Sequence, residues 1–274
     1  MEFTDDQVER YARHILLPEV GGTGQAKLLG ARVLVVGAGG LGSPLILYLA
    51  AAGVGAIGVV DDDVVDLSNL QRQVVHDTAS VGTPKVDSAR TSVGRINPDI
   101  ELIPHQFRLA ADNVMNLIAD YDLMIDGSDN FDTRFLVNDV CYLGEKPLVS
   151  AAILRFEGQL STFKSHLGPD YPCYRCLYRT PPPPGMTPSC SEGGVLGALA
   201  GVMGSLQSTE VLKELLGIGT GLAGSLVIYD ALDATFRKIR LPRDLACPLC
   251  GDAPEITDLS AHAATDEGPG GNRS

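Results

Sequence analysis

Residues 32–72 constrain the fold of this chain more than any other stretch. Val33 to Val36 is a short, β-branched run of the kind that forms a buried strand, and a glycine-rich turn follows it. Gly37, Gly39 and Gly42 fall in the G-x-G-x-x-G pattern. Ser43 to Ala52 is small and apolar and predicts a helix, and Ala56 to Val60 predicts a second strand that ends on Asp61. Strand, glycine turn, helix, strand and acid make the mononucleotide-binding half of a Rossmann-like sheet. The glycines let backbone approach a ligand closely, while the helix start offers unpaired N–H groups and a positive dipole end to a phosphate. Asp61 stands where an acid accepts from ribose hydroxyls. Alone, this fingerprint says only that a nucleotide lies nearby, the alternative being a purely structural glycine turn.

The residues beyond it are more specific. Ser68-Asn69-Leu70-Gln71-Arg72-Gln73 places an arginine and two glutamines after the second strand, and Lys85 follows in Gly82-Thr83-Pro84-Lys85. A nicotinamide cofactor keeps its pyrophosphate through hydride transfer and needs no cation pair there. Attack on the α-phosphate of ATP does need one, because negative charge develops on that phosphate and on the departing pyrophosphate. Read singly, Arg72 and Lys85 are ordinary surface charges. Leu123 to Asp126 predicts another buried strand, running into Gly127-Ser128-Asp129-Asn130. Ligands collect at the carboxyl ends of parallel strands, so Asp129 converges with the glycine turn and Asp61. Asp129 is placed to hold Mg²⁺ at the phosphates. A plainer role, capping of a helix over 131–143 by Asp129 or Asn130, is compatible with it.

Cys173-x-x-Cys176 and Cys247-x-x-Cys250 form a strong metal pattern. Four thiolates on two knuckles suit Zn²⁺, and four protein ligands leave no open position, so the metal reads as structural. Cys141 falls in an apolar helix and reads as a buried structural thiol. The net charge of −13 over 274 residues argues against a nucleic-acid or anionic-membrane partner. The N-terminal MEFTDDQVER lacks the pattern of a secretory leader, and no apolar run is long enough to span a bilayer, so a cytoplasmic setting is expected.

Together, LSNLQRQ, the GTPKV stretch, GSDN at 127–130 and the paired CxxC motifs resemble the MoeB/ThiF family, from about Val8 to Cys250. These are ubiquitin-activating-type adenylyltransferases that activate the C-terminal glycine of small sulfur-carrier proteins. The resemblance implies ATP, Mg²⁺ and a structural zinc as cofactors. It implies a homodimer, in which Arg13 of the RYxRHI-type stretch completes the neighbouring protomer's site. It implies that Gly40 and the turn cradle the phosphates and that Asp61, Asp63, Ser68, Asn69, Gln71 and Asn130 surround the nucleotide. Arg72, Lys85 and Asp129 then act on the triphosphate and its metal. The implied partner is a ubiquitin-like sulfur carrier ending in Gly-Gly. Several relatives continue into a rhodanese domain, so here sulfur is expected from a separate donor or sulfurtransferase. Cys190, in the proline-rich stretch 179–194, is either a covalent attachment point for the activated carrier or an incidental loop thiol. Two other readings stay open: a non-catalytic nucleotide-binding subunit that docks a ubiquitin-like protein, and an NAD-dependent oxidoreductase. Asp61-Asp62-Asp63 is more acidic than the family's D-x-D, and Asp62 is expected to point away from the anionic ligand.

The fold expected is α/β: a Rossmann-like, mostly parallel sheet with helices on both faces, plus antiparallel strands. Helices are predicted over 5–17, 84–97, 110–119, 131–143 and 192–216. Further strands are predicted over 100–104, 147–152 and 160–164, with a turn at Glu157-Gly158-Gln159 and a hairpin at 225–229 and 234–239. Residues 1–251 form one adenylyltransferase-type domain in this reading, and 252–274 a disordered tail.

Overall fold

β1 (Arg32–Val36), the glycine turn, α3 (Gly42–Ala52) and β2 (Ala56–Val60) follow one another as the sequence predicts, in a computed structural model that describes residues 3–183 and 193–262. The other strands are β3 (Glu101–His105), β4 (Leu123–Asp126), β5 (Leu148–Leu154), β6 (Glu157–Phe163), β7 (Ser225–Asp230) and β8 (Thr235–Arg240). They form one sheet in the order β3-β2-β1-β4-β5-β6-β7-β8. β1 to β5 pair in parallel and β6 to β8 antiparallel.

The inner parallel strands β1, β2, β4 and β5 are largely apolar because both faces are covered, whereas β3, at the sheet edge, carries an exposed Glu101. Val33 and Val35 belong to a core with Leu45, Ile46 and Leu49 of α3 and with Leu199 and Met203 of the long helix α8 (Gly197–Leu216). Leu34 and Val36, on the opposite face, join Val114 and Ile118 of α5 (Val114–Ile118) and Phe135, Val137 and Val140 of α6 (Phe131–Leu143). α1 (Asp5–Ile15) starts on a Thr4–Gln7 capping box and is tied down by Tyr11, whose buried hydroxyl accepts from Asn97 at 2.8 Å. Asn97 ends α4 (Lys85–Ile96), so one amide holds two helices.

Several boundaries differ from expectation for local reasons. A helix missing from the sequence reading, α2 (Gly21–Gly30), forms despite four glycines because it buries Leu28 and Gln25 completely. α5 begins at Val114 rather than Ala110, since the Asn113 side chain accepts the Ala110 N–H at 3.0 Å and takes the place of a first turn. β6 starts at Glu157, where a turn was expected. The reversal lies one step earlier, with Arg155 in the left-handed region at φ 54°. Within the 192–216 helix expected, α8 starts at Gly197, because Leu196 donates to the Arg155 carbonyl in an extended bridge; residue 192 lies outside the described residues. Residues 252–262, placed by sequence in a polar tail, are bonded to the body. Glu255 and Ile256 donate to the Pro248 carbonyl, and His262 Nε2 lies 2.7 Å from Asp139 Oδ2. Asp139 also receives Arg175 Nε and Nη2, from α7 (Tyr174–Leu177), at 2.7 and 2.6 Å. Burial raises its carboxyl, but the bonds from His262 and Arg175 outweigh that and hold it below the usual range.

Gly42 is where α3 meets the turn: a Cβ there would stand 1.9 Å from the Gly37 carbonyl oxygen. Gly37 has φ 94°, so it cannot shift cheaply. Gly42→Ala is expected to cost about 3 kcal/mol of unfolding free energy through overpacking, read from the urea midpoint.

Candidate active site

The carboxyl ends of the parallel strands open into a cavity of about 300 Å³. The turn after β1 supplies Gly37, Gly39 and Gly40. The loop after β2 supplies Asp61, Asp62, Asp63, Arg72 and Gln73, and the start of α4 supplies Lys85. The loop after β4 supplies Asp129 and Asn130, and the first turn of α6 adds Arg134. Residues more than ninety positions apart in sequence thus share one pocket because parallel strands all point the same way.

Each group is fixed locally. Asp61 Oδ2 accepts from the Ala38 N–H at 2.8 Å, and Oδ1 accepts from the Asp63 N–H at 2.9 Å. Burial pushes its carboxyl above the usual range, although Lys85 and the two N–H groups pull the other way. Lys85 Nζ donates to Asp63 Oδ2 at 2.6 Å and is nearly buried at 7%, whereas Asp63 is 66% exposed. Asp126, the last residue of β4, accepts from the Ser128 N–H and hydroxyl and from the Ser150 hydroxyl at 2.6 to 2.9 Å. These bonds set the Gly127–Asn130 turn. Asn130 caps α6 by accepting the Thr133 N–H at 2.9 Å, which leaves Asp129 on the cavity wall.

Other expected site residues lie elsewhere. Ser68 and Asn69 belong to a short 3-10 turn capped by Asp66, and Arg72 Nη1 donates to the Ser68 carbonyl at 3.3 Å. Gln71 packs against the start of α8, where Gly197 leaves room for it. Gly42 is buried behind the turn. Arg13 is exposed on the last turn of α1, away from this chain's cavity. Asp62, expected to point away, is exposed and lines the cavity; its backbone is carried there by the anchoring of Asp61 and Asp63. Cys190 lies outside the described residues.

Two lining residues were not assigned a role from sequence. Gln73 is 4% exposed, and its Oε1 has no hydrogen-bond partner among the described residues. Arg134 donates from Nη2 to the Ser128 carbonyl at 2.9 Å and lies 5.7 Å from the Phe131 ring, while its buried Nε is unpartnered among the described residues. Arg134, Asp129 and Ile153 also line a second, more apolar cavity of about 250 Å³ walled by Phe131, Leu160, Phe163, Tyr174 and Tyr178. The two cavities therefore meet at a guanidinium.

The four CxxC cysteines gather on the far side of α6. Sγ–Sγ distances are 3.5 Å for Cys173–Cys247, 3.4 Å for Cys176–Cys250, 3.4 Å for Cys173–Cys250 and 4.0 Å for Cys173–Cys176. Four sulfurs about 2.3 Å from a tetrahedral zinc stand about 3.8 Å apart, so the set fits that ion. Hydrogen bonds with the three other sulfurs, together with burial, push the Cys173 thiol far up, and a bound cation would be needed to hold the set as thiolates.

The ThiF family model matches residues 11–249. The chain is 49% identical over 266 residues to the sulfur carrier protein adenylyltransferase of Thermus thermophilus, covering 96% of this chain and 98% of that one. It is 52% identical over 246 residues to the SAMP-activating enzyme E1 of Haloferax volcanii, covering 90% of each. It spans 64% of the length of MoeZ from Mycobacterium tuberculosis, with 53% identity over 258 residues. Among solved structures, E. coli MccB with MccA-N7isoASN superposes with a TM-score of 0.77 at 19% identity, over 90% of this chain and 76% of that one, a likeness of fold. With a family model spanning nearly all of its length and close relatives at about half identity, the chain belongs to the ThiF family.

Proposed function

We infer that the chain is an ATP-dependent adenylyltransferase acting on the C-terminal glycine of a ubiquitin-like sulfur-carrier protein. The observation that carries this is the joined pair of cavities: a glycine turn with Lys85, Arg72 and Asp129 on one side, and an apolar groove meeting it at Arg134. The names of the two near full-length relatives support the same substrate class.

The nucleotide would lie with its phosphates on Gly37–Gly40 and its ribose toward Asp61. A carrier tail of two glycines, which has no side chains, would thread the groove to the α-phosphate. Its terminal carboxylate oxygen forms the new bond to phosphorus, the bond to the bridging oxygen breaks, and pyrophosphate leaves with the electron pair. No proton is abstracted, so the chain's task is alignment and charge stabilisation. Lys85 and Arg72 face the charge that develops, and Arg134 steers the incoming carboxylate. Mg²⁺, a hard cation suited to the Asp129 carboxylate, neutralises phosphate charge when bound. The acyl-adenylate product carries AMP as a leaving group for sulfur, supplied by a separate donor. Among the described residues no helix is long and apolar enough to cross a membrane, and a four-cysteine zinc site suits a reducing, cytoplasmic setting.

Carrier-dependent exchange of labelled pyrophosphate into ATP tests the reading. Exchange that requires a Gly-Gly-ending carrier supports it, whereas nucleotide binding without exchange supports a non-catalytic docking subunit. Arg13 gives a test of the homodimer. If it completes the partner's site, inactive Arg13→Ala and Lys85→Ala proteins, mixed and re-equilibrated, should regain about a quarter of wild-type exchange, because half the dimers are hybrids with one intact site. No recovery in mixed dimers rules the shared site out.

A further inference from the structure

His76 links the two sides of the cavity's phosphate end. The ring is 7% exposed. Its Nε2 lies 3.0 Å from the Ala38 carbonyl oxygen, and its Nδ1 lies 2.9 Å from Ser88 Oγ. A carbonyl only accepts, so Nε2 carries the proton and Nδ1 accepts from the Ser88 hydroxyl. Ser88 sits on α4 one turn after Lys85, and Ala38 sits between Gly37 and Gly39. The imidazole therefore spans from the glycine turn to the helix that carries Lys85.

Ala38 is held at both ends: its N–H by Asp61 and its carbonyl by His76. In a trans peptide the C=O and the following N–H point opposite ways. Drawing the Ala38 carbonyl toward His76 turns the Gly39 N–H the other way, and Gly39 lines the cavity. We propose that His76 is a positioning residue for the nucleotide: by holding the Ala38 carbonyl against α4, it aims the Gly39 N–H at the phosphate. This rests on the nucleotide reading above. Burial keeps the imidazole below the usual histidine range; Lys85 acts in the same direction, against the Ala38 bond and Asp77. At neutral pH the ring is a strut and not a charge offered to the phosphates.

A ring that merely filled space would be replaceable by leucine, which separates the two roles. The probe is α,β-methylene ATP, titrated by calorimetry into wild type, His76→Leu, His76→Gln and Ser88→Ala. His76→Leu is expected to weaken binding about tenfold through loss of one hydrogen bond to a fixed carbonyl, with the KM for the carrier unchanged within about twofold. His76→Gln retains an N–H donor of similar reach and should return to within about threefold of wild type. A folded His76→Leu protein that binds the analogue as tightly as wild type overturns the proposal, as does a glutamine variant no better than leucine. If His76→Leu fails to fold, Ser88→Ala carries the test: a threefold weakening is expected, about 0.65 kcal/mol, and unchanged affinity counts against it. Wild-type protein that fails to bind the analogue overturns the nucleotide reading itself.

Discussion

Lys85→Ala is expected to lower the rate of carrier-dependent ATP–pyrophosphate exchange by about a thousandfold, with a much smaller change in the carrier's KM. The size follows from where the ammonium sits. It is 7% exposed, bonded to Asp63 and beside the half-buried Asp61, so little water screens it. A cation held this way by the fold costs no reorganisation when negative charge builds on the leaving pyrophosphate. Its removal also leaves Asp61 and Asp63 without their nearest positive partner, facing an anionic substrate. Lys85→Arg should restore only part of the rate, because the larger, planar guanidinium does not fit a site shaped to one Asp63 oxygen. An alanine variant retaining more than a tenth of the wild-type rate would show that the triphosphate is neutralised elsewhere, with Arg72 the first alternative.

The same residue shows what the sequence made legible. Read singly, Lys85 is an ordinary surface charge; it gains meaning only beside Arg72 and within the GTPKV stretch that carries the family resemblance. Its pairing with Asp63 is not legible, because 21 residues and two 3-10 turns intervene. The four inner parallel strands are readable from short apolar runs, since strands buried on both faces tolerate little else. α2 escaped notice because GGTGQAKLLG has poor helix propensity, and only tertiary burial of Leu28 and Gln25 makes it a helix. Arg134 and His76 were invisible for another reason. An arginine in a helix's first turn and a histidine in a loop carry no signal until the Asn130 cap aims one and the Ala38 carbonyl receives the other. Asn130 is legible as a helix cap; what that cap does for Asp129 and Arg134 depends on the fold.

The four cysteines lead to the second large effect. Protein purified without added chelator is expected to hold one zinc per chain by metal analysis, and Cys247→Ser to melt roughly 10–20 °C lower, as loss of about 5 kcal/mol would give in a domain of this size. Cys247 and Cys250 join the segment after β8 to Cys173 and Cys176 at α7, and sheet hydrogen bonds make no such link. The apolar cluster there is small, with Leu249 at its centre and Tyr142 and Ile256 beside it, so hydrophobic burial alone stabilises it weakly. Without the metal, the thiols are joined to one another only by weak S–H hydrogen bonds. The segment reaching His262 would then be held by the His262–Asp139 contact and by Arg179, which donates to the Ala246 carbonyl at 2.7 Å and pairs with Asp244. Below its lowered melting temperature, Cys247→Ser should still bind α,β-methylene ATP within about threefold, because none of the four cysteines lines the nucleotide cavity. Loss of binding in folded, metal-free protein would instead make the zinc lobe part of the catalytic machinery, and an unchanged melting temperature would remove the metal from the account of stability.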